Sequence, residues 1–216
     1  MKYSTIALAA LALTTAACDD LQVEGSLGRG EFDYLCGNPG DATCDGASAI
    51  VGITFDREVN PVVVEGTFGL AFEGDEESYD ILPAAPNLVR QTAGFFAFVE
   101  PGITDFLAVD EDGKVADFAP MTAANMDALA IFYGGQQQQS VALRRFQEEL
   151  IAAAPLSQGT VLGGGLDFNW QVQGTGVDVR AGSGNVIAVE VRDSSAMAIV
   201  TATARGFQAS ITITAQ

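Results

Sequence analysis

Carboxylates are the side chains with the numbers to do chemistry here. The chain carries 28 acidic and 10 basic residues and no histidine. Two acidic runs stand out, Asp75-Glu76-Glu77 and Asp110-Glu111-Asp112. Paired carboxylates can serve as general acid and base, as in glycoside hydrolysis. That requires burial or a neighbouring charge to raise the pKa of one of them. Both runs sit next to a glycine, Gly74 or Gly113, at what read as hairpin tips, where water keeps every carboxylate ionised. A hard cation is the sharper reading, because Ca2+ takes about six to eight oxygen ligands. Asp110, Asp112, Asp75 and Glu77 are the candidates. Neither run has the spacing of an EF-hand loop, so solvated acidic turns are the plainer reading. The expectation is a protein without enzymatic activity or resident cofactor, with calcium as the one ion to consider.

The missing histidine removes whole classes of site. Ser-His-Asp and Cys-His arrangements are impossible, and so are zinc sites built on imidazole. Gly163-Gly164-Gly165 precedes a strand-like pattern rather than a helix, so it lacks the helix N-terminus that cradles phosphate. It reads as a turn.

Three cysteines remain, at 18, 36 and 44. Cys36 and Cys44 bracket a turn-rich loop in which Asn38-Pro39-Gly40 can reverse the chain. In an exported protein these two can pair locally, which leaves Cys18 over. A redox or metal role for the pair would need further ligands, and no histidine is present to supply them.

The N-terminus reads as an export signal. Lys2 is its only charge, Ile6–Leu13 is apolar, and small residues follow. The apolar run is too short to span a bilayer. Leu13-Thr14-Thr15-Ala16-Ala17-Cys18 resembles the lipobox of bacterial lipoproteins, with Thr15 where that family usually has Leu. The resemblance implies removal of residues 1–17 and a diacylglyceryl thioether on Cys18, which takes a free thiol out of an oxidising compartment. It also implies an exported, lipid-anchored protein of the cell envelope, on the outer membrane of a Gram-negative bacterium. Thr15-Ala16-Ala17 equally suits ordinary signal peptidase, which would leave Cys18 free.

Charge narrows the partners. Beyond residue 17 the chain holds 28 acidic and 9 basic side chains. Nucleic acid binding, which needs clustered Lys and Arg, is excluded. The membrane would be met through the lipid on Cys18, and a protein or glycan partner stays unidentified. The imbalance lies almost wholly before Pro155, because residues 155–216 hold only 4 acidic and 3 basic side chains. Such a split points to two units with different surfaces.

Period-two alternation dominates, as half-buried strands require. Phe68, Leu70 and Phe72 share a face. So do Leu166, Phe168, Trp170 and Val172, which predicts Trp170 between two sheets. Ile187, Val189 and Val191 alternate, as do Ala198, Val200 and Ala202, and then Ala209, Ile211 and Ile213. Asp112-Gly113 and Arg205-Gly206 read as hairpin turns. Residues 136–154 disagree, since their composition and spacing favour helix up to Pro155.

From Gly159 onward the chain resembles a bacterial Ig-like repeat of surface proteins. The shared features are the glycine turn, a strand carrying Trp170, the run Ala198-Ile199-Val200-Thr201-Ala202-Thr203 and the closing strand Ala209–Thr214. The resemblance implies that the segment before the glycine turn is a strand, so Phe146–Pro155 is expected as strand against its propensity. A fainter likeness links Gly30–Cys36, the Cys36–Cys44 loop and Val64–Phe72 to Gram-negative lipoproteins with a disulfide-tagged N-terminal sandwich. The expected fold is all-β: two tandem antiparallel Ig-like β-sandwiches after a cleaved signal peptide and a short tether. The expected boundaries are signal peptide 1–17, tether 18–29, acidic sandwich 30–124 and Ig-like sandwich 125–216. The expected function is a structural or surface-interaction module, adhesion-like and non-enzymatic. The alternative is a calcium- or glycan-binding accessory subunit of an adhesion or polysaccharide system.

Overall fold

A computed structural model describes residues 22–44, 46–53, 60–75, 78–181 and 184–216. The signal segment, residues 18–21 of the expected tether with Cys18 among them, and Glu77 lie outside the described residues. Among the described residues the regular secondary structure is almost all strand. Its opening elements are β1 (Gln22–Glu24), β2 (Glu31–Leu35), a one-turn helix α1 (Ala47–Val51), β3 (Val62–Val63) and β4 (Phe68–Glu73). Next come β5 (Asp80–Pro83), β6 (Val89–Thr92), β7 (Phe95–Phe98), β8 (Gly102–Val109) and β9 (Val115–Ala124). These strands form two sheets, ordered β1-β2-β4-β7-β6 and β3-β9-β8-β5.

Aromatic residues fill the space between those sheets. Phe68 is fully buried, and the rings of Tyr34, Phe96, Phe98 and Phe106 surround it at centroid distances of 5.9, 5.9, 6.1 and 5.8 Å. Phe72 lies on the same strand face but nearer the rim, where it meets Phe32 and Tyr79. Asp112-Gly113 turns β8 into β9. Gly113 has φ 79°, the left-handed conformation such turns need.

The second half begins with β10 (Ala128–Tyr133), β11 (Gln136–Gln137), β12 (Ser140–Leu143), β13 (Glu148–Ser157) and β14 (Thr160–Val161). It closes with β15 (Asn169–Thr175), β16 (Val177–Ala181), β17 (Val186–Val191), β18 (Met197–Ala204) and β19 (Phe207–Ala215). The sheets are β11-β10-β13-β17-β16, with β14 alongside β13, and β12-β19-β18-β15. Ile131, Ile151, Ile187 and Val189 from one sheet pack on Leu143, Val200, Ile211 and Ile213 from the other. Among the described residues the paired strands are antiparallel, apart from the short parallel pairs β3–β9 and β12–β19.

The segment with helical composition is strand, as the Ig-like resemblance implies. Ile151 and Ala153 face the core between the sheets, while Ala152, Ala154 and Leu156 face a separate cluster under α1. A strand buried on both faces reads as an unbroken apolar run, which periodicity alone cannot tell from a buried helix. Phe146, which helical spacing would have turned inward, is 65% exposed at φ 60°.

Trp170 departs from expectation in degree. It is half-buried at the rim of the core, and its indole Nε1 donates to the Gly184 carbonyl at 3.1 Å. The reason is that β15 is an edge strand with one neighbour, β18, so its inner face is only partly covered.

The two halves are knit together. Helix α1, from the N-terminal half, lies on β10 and β13 through Ile50 and Val51. Isolated bridges join Val62 to Gly163 and Thr67 to Gly165. Arg205, in the β18–β19 turn, donates to the Val64 carbonyl at 2.8 Å and pairs with the Glu65 carboxylate.

Candidate functional site

Where the halves meet, the chain buries its most unusual polar cluster. Cys36 and Cys44 are joined, with a Cα–Cα distance of 5.9 Å. Within that small ring the Asn38 Oδ1 accepts the Gly40 amide at 2.9 Å and tightens the turn. The ring then delivers Asp41, which is 1% exposed. Its Oδ1 accepts the Thr43 amide at 2.9 Å and the Thr43 hydroxyl at 2.6 Å. Its Oδ2 accepts the Tyr34 hydroxyl at 2.7 Å and the Gly164 amide at 3.0 Å. The Gly164 amide is shared with the Tyr34 oxygen, at 2.8 Å.

Glycine at 163–165 is what lets this happen. Gly164 has φ 87°. A side chain on Gly165 would strike Asn38, its Cβ only 2.3 Å from that residue's own Cβ. The run is therefore a turn, as its sequence context predicts, and also the seat of the disulfide ring. Sequence reasoning missed this role, because 123 residues separate Asp41 from its partner amide.

Burial pushes the Asp41 carboxyl up, against the lowering effect of its hydrogen bonds to Thr43, Tyr34 and Gly164. Burial also pushes the Tyr34 hydroxyl well above its usual range, and the Asp41 charge adds to it. Chemically the cluster is saturated. Every group that meets the carboxylate donates to it, and Asp41 has almost no contact with solvent.

A second buried carboxylate, Asp117 on β9, performs a local task. It accepts the amides of Leu27, Arg29 and Phe118, each at 2.8 Å, and pins the turn between β1 and β2. Burial works to raise its pKa, but those amides and the Arg29 charge outweigh it, so the carboxyl sits below the usual range.

The acidic tips do not converge with either cluster. Asp110 accepts the Lys114 amide at 2.8 Å, and the exposed Asp112 pairs with the Lys114 ammonium at 3.0 Å. Lys114 thus supplies that tip's positive charge. Asp75 lines a shallow cleft with Glu24, Arg29, Glu31 and Glu73. Ser78 donates to Glu111 at 3.4 Å, which links the neighbourhoods of the two runs. Among the described residues, no three acidic or cysteine side chains are placed to hold a metal ion together.

A 380 Å³ cleft opens at the junction, lined by Asn38, Glu65, Thr67, Arg90, Asp167 and Arg205 among others. Its charges are mixed in sign and Arg205 is already paired with Glu65, which makes it a polar seam rather than an anion or cation pocket.

No protein-family model and no curated sequence match this chain. Solved structures overlap it in part. Domains 4 and 5 of the S-layer protein SbsC share 12% identity over 65% of this chain and 78% of that one, at a TM-score of 0.32. The Escherichia coli adhesin FdeC shares 16% over 73% of this chain and 62% of its own, at 0.31. The D00-D0 domain of intimin shares 9% over 73% and 95%, at 0.29. Scores this low say nothing about what the chain does.

Proposed function

We propose that this is an exported, lipid-anchored envelope protein whose two sandwiches present a non-enzymatic surface for interaction. The observation that carries the reading is the ending of the signal segment, Ala16-Ala17-Cys18, with Cys18 the one cysteine outside the Cys36–Cys44 pair. The chemistry of the body supports it. The buried ionisable groups Tyr34, Asp41 and Asp117 are spent on internal hydrogen bonds. No histidine exists to act as base. A body cross-tied by the disulfide ring, α1 and Arg205 is suited to holding its loops in fixed relation above an anchor, and loops on a rigid scaffold are where binding residues concentrate.

The anchor is tested by growing cells with a labelled lipid precursor and fractionating them. The wild-type chain should carry label and pellet with outer membranes, and Cys18→Ser should do neither. A Cys18→Ser protein that still carried label would overturn the reading. Protease treatment of intact cells then reports which face is displayed.

A further inference from the structure

Among the described residues, the sheet edges are guarded in all places but one. An open edge invites pairing with another chain, and proteins discourage this with charge, proline or shortness. Here β1 ends in Glu24, β5 carries Asp80 and Pro83, β6 carries Arg90, and β16 carries Asp178 and Arg180. β3 and β11 have two residues each, and the four of β12 run straight into Arg144 and Arg145. β15 has seven residues, Asn-Trp-Gln-Val-Gln-Gly-Thr, with no charge and no proline. One side of it is bonded to β18 along its whole length, from Asn169 opposite Thr203 to Thr175 opposite Met197. Among the described residues no strand occupies the other side.

We propose that β15 pairs antiparallel with β15 of a second copy of this chain, about a two-fold axis at Val172. The strand is self-complementary about that residue. Val172 faces Val172 of the copy, Gln171 faces Gln173, Trp170 faces Gly174, and Asn169 faces Thr175. Each pairing suits the face it lies on. Val172 stands opposite the buried Val200, on the core side of the sheet, yet is 41% exposed for want of a neighbour. A second Val172 covers it. Trp170 is on the same side, beside a position that must be small: a Cβ on Gly174 would come within 2.2 Å of the Met197 carbonyl oxygen. An indole laid over a bare edge glycine is a recognised way to stabilise a sheet. On the outer side, Gln171 and Gln173 can exchange amide hydrogen bonds across the axis.

The self-complementary residues of β15 select a copy of the same chain, and the charge at this edge permits it. At a net charge of −18, most faces of two copies repel. The sheet that β15 borders has an outer face without charge, formed by Thr201, Thr203, Ser210 and Thr212 together with Ile199 and Gln208. Two copies joined here make one continuous eight-stranded sheet and bring no ionised groups together at the axis. The contact is isologous and closes at two, since each copy has one such edge.

The test uses the full chain in a Cys18→Ser background, so that an introduced thiol is the only unpaired one. Sedimentation velocity through the micromolar range should show a monomer–dimer equilibrium, and Val172→Lys should leave a monomer at every concentration. Oxidation reads the register. Val172→Cys should cross-link to a covalent dimer, because self-opposed positions lie within disulfide reach. Gln171→Cys alone should not, whereas an equal mixture of Gln171→Cys and Gln173→Cys chains should. A wild-type chain that stays monomeric throughout overturns the proposal. So does a dimer that persists unchanged in Val172→Lys, or one in which Gln171→Cys cross-links as readily as Val172→Cys.

Discussion

Asp41 and Asp117 are the same residue, both buried and both ringed by donors, yet their acidities move in opposite directions. Asp117 meets three backbone amides and a nearby Arg29 charge, which together overcome the cost of burial. Asp41 meets two hydroxyls and two amides, and burial wins. The difference follows where each sits. Asp117 closes a short turn whose amides converge on it without strain, the geometry that most lowers a carboxylate. Asp41 lies in the seam between two sandwiches, where water is excluded from all sides and only one partner comes from the far half. A carboxylate held against its own preference is a joint between halves, whereas one held with it is a local staple.

The largest effect should come from removing the joint. Asp41→Ala takes the shared acceptor away from the Tyr34 hydroxyl, the Thr43 hydroxyl and the Thr43 amide and leaves the Gly164 amide only the Tyr34 oxygen, and should cost about 3–5 kcal/mol in urea unfolding. Asp117→Ala should cost less, about 2–3 kcal/mol, because its turn lies nearer to solvent. Equal losses would break the comparison. Hydrogen exchange sharpens it: the Gly164 amide should speed up in Asp41→Ala and stay slow in Asp117→Ala.

Next in size is the disulfide. Cys36→Ser with Cys44→Ser should lose about 2–3 kcal/mol, as expected for so small a ring. If the ring is what delivers Asp41, Gly164 exchange should quicken in this variant too. An unchanged rate would show that Asp41 docks without it.

A smaller effect lies in pH. The folded-state pKa of Asp41 is above its ordinary 3.8, so the folded state binds that proton more tightly. The Asp41 contribution is then most favourable at low pH and declines as pH rises through the folded value. For Asp117 the folded pKa lies below 3.8. Its contribution is complete above that value and is lost as pH falls through the lowered one. Wild type minus Asp41→Asn should therefore shrink on going from about pH 4 toward neutrality, while wild type minus Asp117→Asn should grow from about pH 2 to 4. Profiles of the same sign would refute the contrast. The smallest effect concerns the acidic tips. With Lys114 paired to Asp112, EDTA should leave the melting temperature unchanged, and a clear drop would restore calcium.

Much of this was legible in residue order. Alternation at Phe68–Phe72, at Ile187–Val191 and along the last two strands placed their inward faces, and Asp112-Gly113 and Arg205-Gly206 marked their turns. Strand identity at 148–157 came from resemblance rather than pattern, because burial on both faces erases the alternation. Asp41 gave no signal at all. It stands in a turn-rich loop, where an aspartate ordinarily caps its own backbone.

Sequence by itself determined what depends on neighbours within a few residues: the strand periods, the hairpin glycines, and the lone Cys18 beside a closable Cys36–Cys44 ring. Only the tertiary structure decided what depends on distant partners. It set Asp41 against Gly164, laid α1 on the second sandwich, and left β15 with a single neighbour. The physical reason is range. Backbone sterics and side-chain alternation act locally, whereas burial and the pairing of a buried carboxylate are properties of whatever the rest of the chain brings alongside.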